Sequence, residues 1–166
     1  MSYTLEQFST DCHRILAAEP GPEGRKKVSA LVQKACTDSD FVRQHLPDGG
    51  PERKILYEDP ELGFCILGHV YHGAKESAPH DHGPTWAIYG QAEGETSMSD
   101  WELLAPATPE QPGRVRKTRE YVLKPGDAHV YNESDLHSPG RAGPTRLIRL
   151  EGRNLDGVRR LKYRAE

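Results

Sequence analysis

The sequence has few cysteines, and they are far apart. Cys12, Cys36 and Cys65 are the only three among 166 residues, and no two of them form a CxxC pair. An odd number at wide spacings argues against a disulfide framework and against a cysteine zinc site. We therefore expect three reduced thiols, with Cys65 buried inside the apolar run from Gly63 to Leu67.

Long hydrophobic runs and an excess of positive charge are also missing. No segment approaches the roughly 20 apolar residues of a membrane helix, and the first ten residues lack the basic flank and apolar run of a signal peptide. The formal net charge is −3, whereas nucleic acids and anionic lipids are normally bound by a concentrated basic surface. We expect a cytoplasmic protein that binds neither nucleic acid nor membrane.

The N-terminal part of the chain has the signals of three helices. Thr4 and Gln7 have the spacing of a capping box. Pro22 suits the first turn of a second helix, and Ser39 is expected to cap a short third one. We therefore predict a helical segment over residues 1–47.

The rest of the chain has the signals of short strands. Glycine and proline recur at short intervals, with short apolar or alternating runs between them. Many short antiparallel strands fit a sandwich or jelly roll, which leaves few exposed strand edges. We predict an all-β barrel over residues 52–166, within a single domain that spans 1–166. The proline-rich segment Pro106–Gly113 is expected to be a loop that joins the two halves of the barrel. The predicted strands are Lys54–Tyr57, Phe64–Tyr71, Thr85–Tyr89, Glu95–Leu104, Arg114–Leu123, Ala128–Tyr131, Arg146–Glu151 and Val158–Tyr163.

Two histidines separated by one residue are the clearest chemical signal. Side chains on an extended strand alternate between its faces, so His80 and His82 point to the same side and can reach one ion. A third ligand is expected from a distant strand. His137, which follows a Gly-Asp turn, a short strand and a second turn, is our candidate. His129 is its rival, although a packing role suffices for a histidine within that short strand.

These motifs resemble those of the cupin family. The segment Gly73–Gly90, a glycine followed by HxH and a later glycine, resembles the first cupin motif, and Gly126–His137 resembles the second. The resemblance implies a cupin double-stranded β-helix, that is, a jelly-roll barrel with a metal ion in its mouth. It also implies His80, His82 and His137 as the metal ligands.

The departures from the usual cupin pattern indicate a narrower group. Many cupins place a glutamate three or four residues after HxH, where this chain has Trp86 and Ala87. The remaining neutral three-histidine set is the one that thiol dioxygenases use. The segments Phe64–His82 and Tyr131–His137 are similar to the sequence around the metal in the cysteine dioxygenase group. This resemblance implies Fe(II), with O2 and a small thiol or carboxylate-bearing molecule as substrates.

Other residues of that group are replaced here. The cysteine that some members crosslink to a tyrosine corresponds to Ala87, and a Ser, His and Tyr relay corresponds to Leu147, Arg149 and Glu151. If these three keep the inward parity of their strand, Arg149 is expected to bind a carboxylate. Glu151 would then orient that arginine or transfer a proton. A shift of one residue in register would instead turn Ile148 inward.

Four further residues are candidates for the rim or wall of the site. Tyr89 is expected to supply a hydroxyl to the pocket. The arginine by which some group members bind a carboxylate corresponds to Arg53 or Lys54, and the sequence leaves this choice open. His72 is a candidate for the rim of the site, with a solvated loop residue as the alternative.

Two functional classes follow from this ligand set. The first is an Fe(II)-dependent dioxygenase. The second is a non-oxidative metal-binding cupin, such as an isomerase or a small-molecule sensor, that holds Zn, Ni or Mn, because sequence cannot rank metals that share ligands. The resemblance further implies a homodimer formed through sheet edges, unless the N-terminal helices cover that face.

Overall fold

Three helices precede ten strands in the computed structural model, which describes residues 2–166. None of the helices within 2–166 is both long and apolar enough to cross a membrane. The helices are α1 (Leu5–Ala18), α2 (Pro22–Cys36) and α3 (Ser39–His45). The strands are β1 (Lys54–Glu58), β2 (Cys65–Tyr71), β3 (Lys75–Glu76), β4 (Ala87–Glu93), β5 (Thr96–Ala105), β6 (Gly113–Leu123), β7 (Ala128–Tyr131), β8 (Leu136–Arg141), β9 (Thr145–Glu151) and β10 (Tyr163–Ala165).

The start of each helix has a local cause. The Thr4 side chain accepts a hydrogen bond from the Gln7 backbone N–H, and the Gln7 side chain accepts one from the Thr4 N–H, so the predicted capping box is present. Pro22 is the first residue of α2, as predicted. The predicted Ser39 cap is wrong by one residue. Asp38 caps α3 because its carboxylate accepts two backbone N–H groups of the first turn.

The strands form two five-stranded sheets. The order is β1-β2-β9-β4-β7 in the first sheet and β10-β6-β5-β8-β3 in the second. Neighbouring strands are antiparallel except β10 and β6, which are parallel. Between β2 and β5, and again between β6 and β10, each successive strand lies in the opposite sheet, which winds the chain into a jelly roll. The predicted all-β jelly roll with N-terminal helices is thereby confirmed.

The larger hydrophobic core lies between the helices and the first sheet. Ile148 and Leu150 of β9 are fully buried there and belong to the same cluster as Val32 of α2. Because side chains alternate along a strand, the residues between and beyond them, Arg149 and Glu151, face into the barrel. The helical layer therefore determines which face of β9 is available for chemistry.

A smaller core fills the space between the two sheets. It joins Ala87 and Tyr89 of β4 and Tyr131 of β7 to Met98 and Leu123 of the second sheet. This core borders the candidate metal ligands, because the Tyr89 and Tyr131 ring centroids lie 5.3 and 4.0 Å from that of His137.

The C-terminal strand differs from the predicted one. Val158–Tyr163 is wrong as a strand, because the chain is irregular as far as Lys162 and only Tyr163–Ala165 pair with β6. The charged run there offers no alternating apolar face. Instead, this segment crosses the mouth of the barrel, where Arg160 donates a hydrogen bond to the Asp81 carbonyl.

The predicted loop after Ala105 joins β5 to β6, and so connects the run β2–β5 to the run β6–β10. Strand β8 was not predicted, since Pro139 and Gly140 disfavour a regular strand in sequence terms. Its presence matters because β8 carries His137.

The three cysteines are free, as predicted, and all three are buried. Cys65, at the start of β2, is 1% exposed.

Candidate metal centre

The structure brings His80, His82 and His137 together. His80 lies in an extended segment between β3 and β4 and pairs with His137 of β8. Two backbone hydrogen bonds of 2.9 Å join these two residues, one in each direction. Each of the three imidazoles offers a ring nitrogen within 4.8 Å of the other two. Backbone pairing of two histidines therefore builds the centre.

The Nε2 atoms of the three rings face a common point. Those of His82 and His137 are 3.1 Å apart. The Tyr89 hydroxyl oxygen lies 3.4, 3.0 and 3.2 Å from the Nε2 atoms of His80, His82 and His137. Two imidazoles that bind one ion at about 2.1 Å, roughly at a right angle, have their nitrogens about 3 Å apart. The spacing of the His82 and His137 nitrogens therefore fits a shared ion.

The opposite ring nitrogens are all held by acceptors. The Nδ1 atoms of His80 and His137 are 2.8 and 3.0 Å from the backbone carbonyl oxygens two residues earlier. His82 Nδ1 is 3.3 Å from a carboxylate oxygen of Glu151. These acceptors assign the proton to Nδ1 in each ring, which leaves each Nε2 lone pair free for a metal ion.

Burial keeps the three imidazoles neutral. It is the main cause that lowers the pKa of His80 to about 4 and that of His82 to about 2. The pKa of His137, which is fully buried, is also lowered well below its usual value, mainly by burial. The positive charge of Arg149 adds to the effect at all three rings. A neutral imidazole is the form that binds metal.

No carboxylate belongs to this cluster within residues 2–166. Trp86 and Ala87 occupy the places where many cupins have a glutamate, and both are buried in packing clusters. Glu151 approaches His82 from the Nδ1 side, away from the converging atoms. The donor set is three neutral nitrogens, the set that suits Fe, Zn, Cu or Ni.

A cleft of about 600 Å³ opens beside His80. Tyr89 and Arg149 line it, and the Arg149 guanidinium carbon lies 4.2 Å from the centroid of the Tyr89 ring. Arg141, at the end of β8, also lines the cleft and was missed by the sequence analysis. Strand parity could have found it, since Arg141 lies four residues after His137 and so on the same face.

Glu151 stands apart from Arg149. It is buried against His82, and no ion pair joins it to Arg149 within the described residues. Its position supports an orienting role toward the His82 ring rather than toward the arginine.

The predicted rim residues lie elsewhere. Arg53 forms an ion pair of 3.1 Å with Asp156 at the surface, and Lys54 is exposed at the start of β1. Neither residue lines the cleft. His72 is exposed and its Nε2 lies 2.8 Å from the Gly50 carbonyl oxygen. These three are not part of the site.

His129 is separate from the three-histidine group. Its ring stacks on Tyr131 at 4.5 Å and on Tyr121 at 5.1 Å between centroids. The stacking agrees with the packing role that the sequence analysis assigned to it.

A larger depression lies away from the histidines. It measures about 740 Å³ and lies between α3 and the ends of β4 and β9, with Val42 and Arg146 in its wall. It contains none of the candidate ligands, so the smaller cleft is the one relevant to the metal centre.

Comparisons with known proteins add a similarity of fold. No family model matches the sequence, and no curated protein is significantly similar to it. Among solved structures, KdgF from Halomonas sp. is 22% identical, with a TM-score of 0.47 over 63% of this chain and 82% of its own. A protein from Neisseria meningitidis is 17% identical, with a TM-score of 0.47 over 66% of this chain and 94% of its own. A cupin superfamily protein from Desulfitobacterium hafniense is 11% identical, with a TM-score of 0.43 over 61% of this chain and 76% of its own. The function proposed below rests on the residues of this chain.

Proposed function

We propose that the chain is a mononuclear non-heme Fe(II) dioxygenase of the cysteine dioxygenase-like type, acting on a small carboxylate-bearing molecule, with thiols as the first class to test. The observation that carries this proposal is the convergence of three neutral Nε2 atoms with no carboxylate among them, next to a cationic cleft. Fe(II) held there would supply a centre with open positions at which O2 and substrate react side by side.

His80, His82 and His137 would hold the metal. Their rings are fixed before any ion arrives, because each Nδ1 has an acceptor and two of the residues pair through the backbone. A ligand set that needs no rearrangement loses little conformational freedom when it binds. Glu151 holds the Nδ1 proton of His82 and makes that imidazole a stronger donor.

Arg149 would bind the acidic group of the substrate. Its guanidinium lies over the Tyr89 ring, which fixes the direction of its planar fork. None of the acidic side chains among residues 2–166 forms an ion pair with it. The charge therefore remains available for bidentate binding of a carboxylate.

Tyr89 would act on the reacting atoms. Its hydroxyl lies 3.0–3.4 Å from all three Nε2 atoms, at the point that any atom bound beside the histidines must approach. A phenol in this place can donate a hydrogen bond to such an atom or exchange a proton with it.

The test is anaerobic reconstitution with Fe(II), followed by O2 uptake with small thiols that do or do not carry a carboxylate. We expect the protein to bind one equivalent of iron. We also expect it to consume O2 only with a substrate that carries a carboxylate. His137→Ala should lose the metal, whereas the matched control His129→Ala should retain it. The opposite pattern would refute the ligand assignment.

The same measurement separates the second functional class. Tightly held zinc, with no O2 consumption after exchange for Fe(II), would contradict the dioxygenase. It would favour a non-oxidative metal cupin such as an isomerase or a sensor, because the same three nitrogens suit zinc or nickel as well.

A further inference from the structure

Two arginines enter the cleft from opposite sheets. Arg141 ends β8 in the second sheet, and Arg149 lies within β9 in the first. Both line the same cleft beside His80. Arg141 is 3% exposed, which is rare for a charged side chain that has no partner.

Neither arginine has an acidic partner among residues 2–166. The buried Nε and Nη2 atoms of Arg141 and the buried Nε of Arg149 have no hydrogen-bond partner. Aromatic rings contact them instead. The Arg141 guanidinium carbon lies 4.7 Å from the Tyr71 ring centroid, and that of Arg149 lies 4.2 Å from the Tyr89 centroid. A ring face holds a cation without neutralising it.

Elsewhere the protein pairs its buried arginine with an acid. Arg25, 6% exposed, binds both carboxylate oxygens of Glu133 at 2.5 and 2.9 Å. This contrast shows that the missing partner is particular to the cleft. An unpaired buried charge destabilises a fold unless a ligand of opposite charge compensates it.

The rim of the cleft adds more positive charge. Arg160 and Lys162 line it, and no acidic residue does so among the described residues. The whole chain has a formal net charge of −3, so a lining of four cations is a local concentration against the overall balance. Burial is the main cause that lowers the pKa of Arg141, and the nearby charge of Arg149 adds to it. Arginine nonetheless stays protonated in proteins, so both cations remain charged in the cleft.

We propose that this cleft binds a small dianion, with one acidic group on Arg149 and a second on Arg141. That this dianion is the substrate rests on the proposed function, because its reacting end would lie at the histidines and its acidic groups at the two arginines. Binding of the dianion itself needs no metal. Because the guanidiniums come from different sheets and lie over different rings, two separated acidic groups, as in a dicarboxylate, fit better than one.

The experiment is calorimetric titration of the metal-free protein at constant ionic strength. The probes are succinate, butyrate as a single-charge molecule of the same length, and inorganic phosphate. We expect succinate to bind at least about tenfold more tightly than butyrate, because a second charged hydrogen-bonding pair is formed. Arg141→Gln should remove that preference and leave butyrate binding unchanged. Arg149→Gln should weaken both, and the exposed control Arg116→Gln should change neither.

The outcomes distinguish an anion with one doubly charged group from an anion with two separate acidic groups. Phosphate that binds more tightly than succinate, and loses its affinity in Arg141→Gln, would support the dianion site with a single acidic group between the two arginines. Equal affinities for succinate and butyrate, or a preference that survives Arg141→Gln, would overturn it.

A stability measurement guards against misfolding. Without added anions, Arg141→Gln should still unfold cooperatively, because it loses the contact with the Tyr71 ring but also an uncompensated buried cation. A folded Arg141→Gln variant that keeps the preference for succinate would overturn the site. If the cleft binds the dianion but no O2 is taken up, the dioxygenase proposal is contradicted and the dianion site stands. If O2 is taken up equally with single-charge substrates, the dianion site is contradicted and the dioxygenase proposal stands.

Discussion

Removing the charge of Glu151 should weaken metal binding without touching a ligand. The residue is 5% exposed, and its carboxylate accepts a hydrogen bond from His82 Nδ1 at 3.3 Å. It is the one side chain among the three Nδ1 acceptors, since the other two are backbone carbonyls. A hydrogen bond to a charged group contributes about 1.5–3 kcal/mol. Loss of such an outer partner weakens metal affinity roughly 10- to 100-fold.

Two substitutions should bracket this range. Glu151→Gln keeps the size and one acceptor oxygen, so we expect about a tenfold loss, near 1.4 kcal/mol. Glu151→Ala removes the acceptor altogether and should approach a hundredfold loss. Competition with a chromophoric chelator for Zn(II), which is redox-silent, measures the affinity directly. The control is Glu102→Gln, whose exposed carboxylate pairs with Arg116 far from the centre.

A second readout distinguishes this role from simple destabilisation. Glu151 also lies near enough to Arg149 for its charge to act on that guanidinium. Its neutralisation should therefore raise anion affinity in the cleft while metal affinity falls. An unchanged metal dissociation constant in Glu151→Ala would refute the idea that this carboxylate orients the His82 ring.

Three further predictions follow. Tyr89→Phe should retain metal, because the three histidines remain, but turnover measured by O2 uptake should fall at least about tenfold; loss of metal would instead make the hydroxyl a ligand. Gly90→Ala should lower stability by about 1–3 kcal/mol in urea unfolding, because the added Cβ would lie 2.3 Å from Val32 Cγ1 and 2.8 Å from Cys36 Sγ. Gly73→Ala, with no atom within 4 Å of its Cβ, is the matched control and should change little. The metal-free protein should lose stability as pH falls from about 6.5 toward 4. In this range the histidines of the unfolded chain bind protons, whereas the buried ligand imidazoles, whose pKa values are lowered, stay neutral in the folded protein. A urea midpoint that does not change across this pH range would contradict the prediction.

The local features of the chain were predictable where one short segment contains the cause. The capping box at Thr4 needs a partner only three residues away, and Pro22 acts on its own turn. The shared direction of His80 and His82 depends on strand alternation alone. The missing carboxylate could also be read directly, because Trp86 and Ala87 occupy its places.

Predictions failed where distant pairing outweighs local preference. Pro139 and Gly140 disfavour a strand, yet β8 forms because β5 and β3 flank it on both sides. Residues 158–162 were predicted to belong to a strand but lie over the barrel mouth without a ladder partner, and pairing begins only at Tyr163.

The sequence by itself determined the kind of chemistry. It supplies the three imidazoles, places an arginine and a glutamate on the same face of one strand, and has no acid after HxH. These features depend only on residue type and on the two-residue period of a strand. The tertiary structure decided which atoms meet. It paired His80 with His137, turned Glu151 toward His82 and brought Arg141 across from the opposite sheet. These outcomes depend on the register between strands that are distant in sequence, which is set by the packing of the whole core against the helices and not by any single segment.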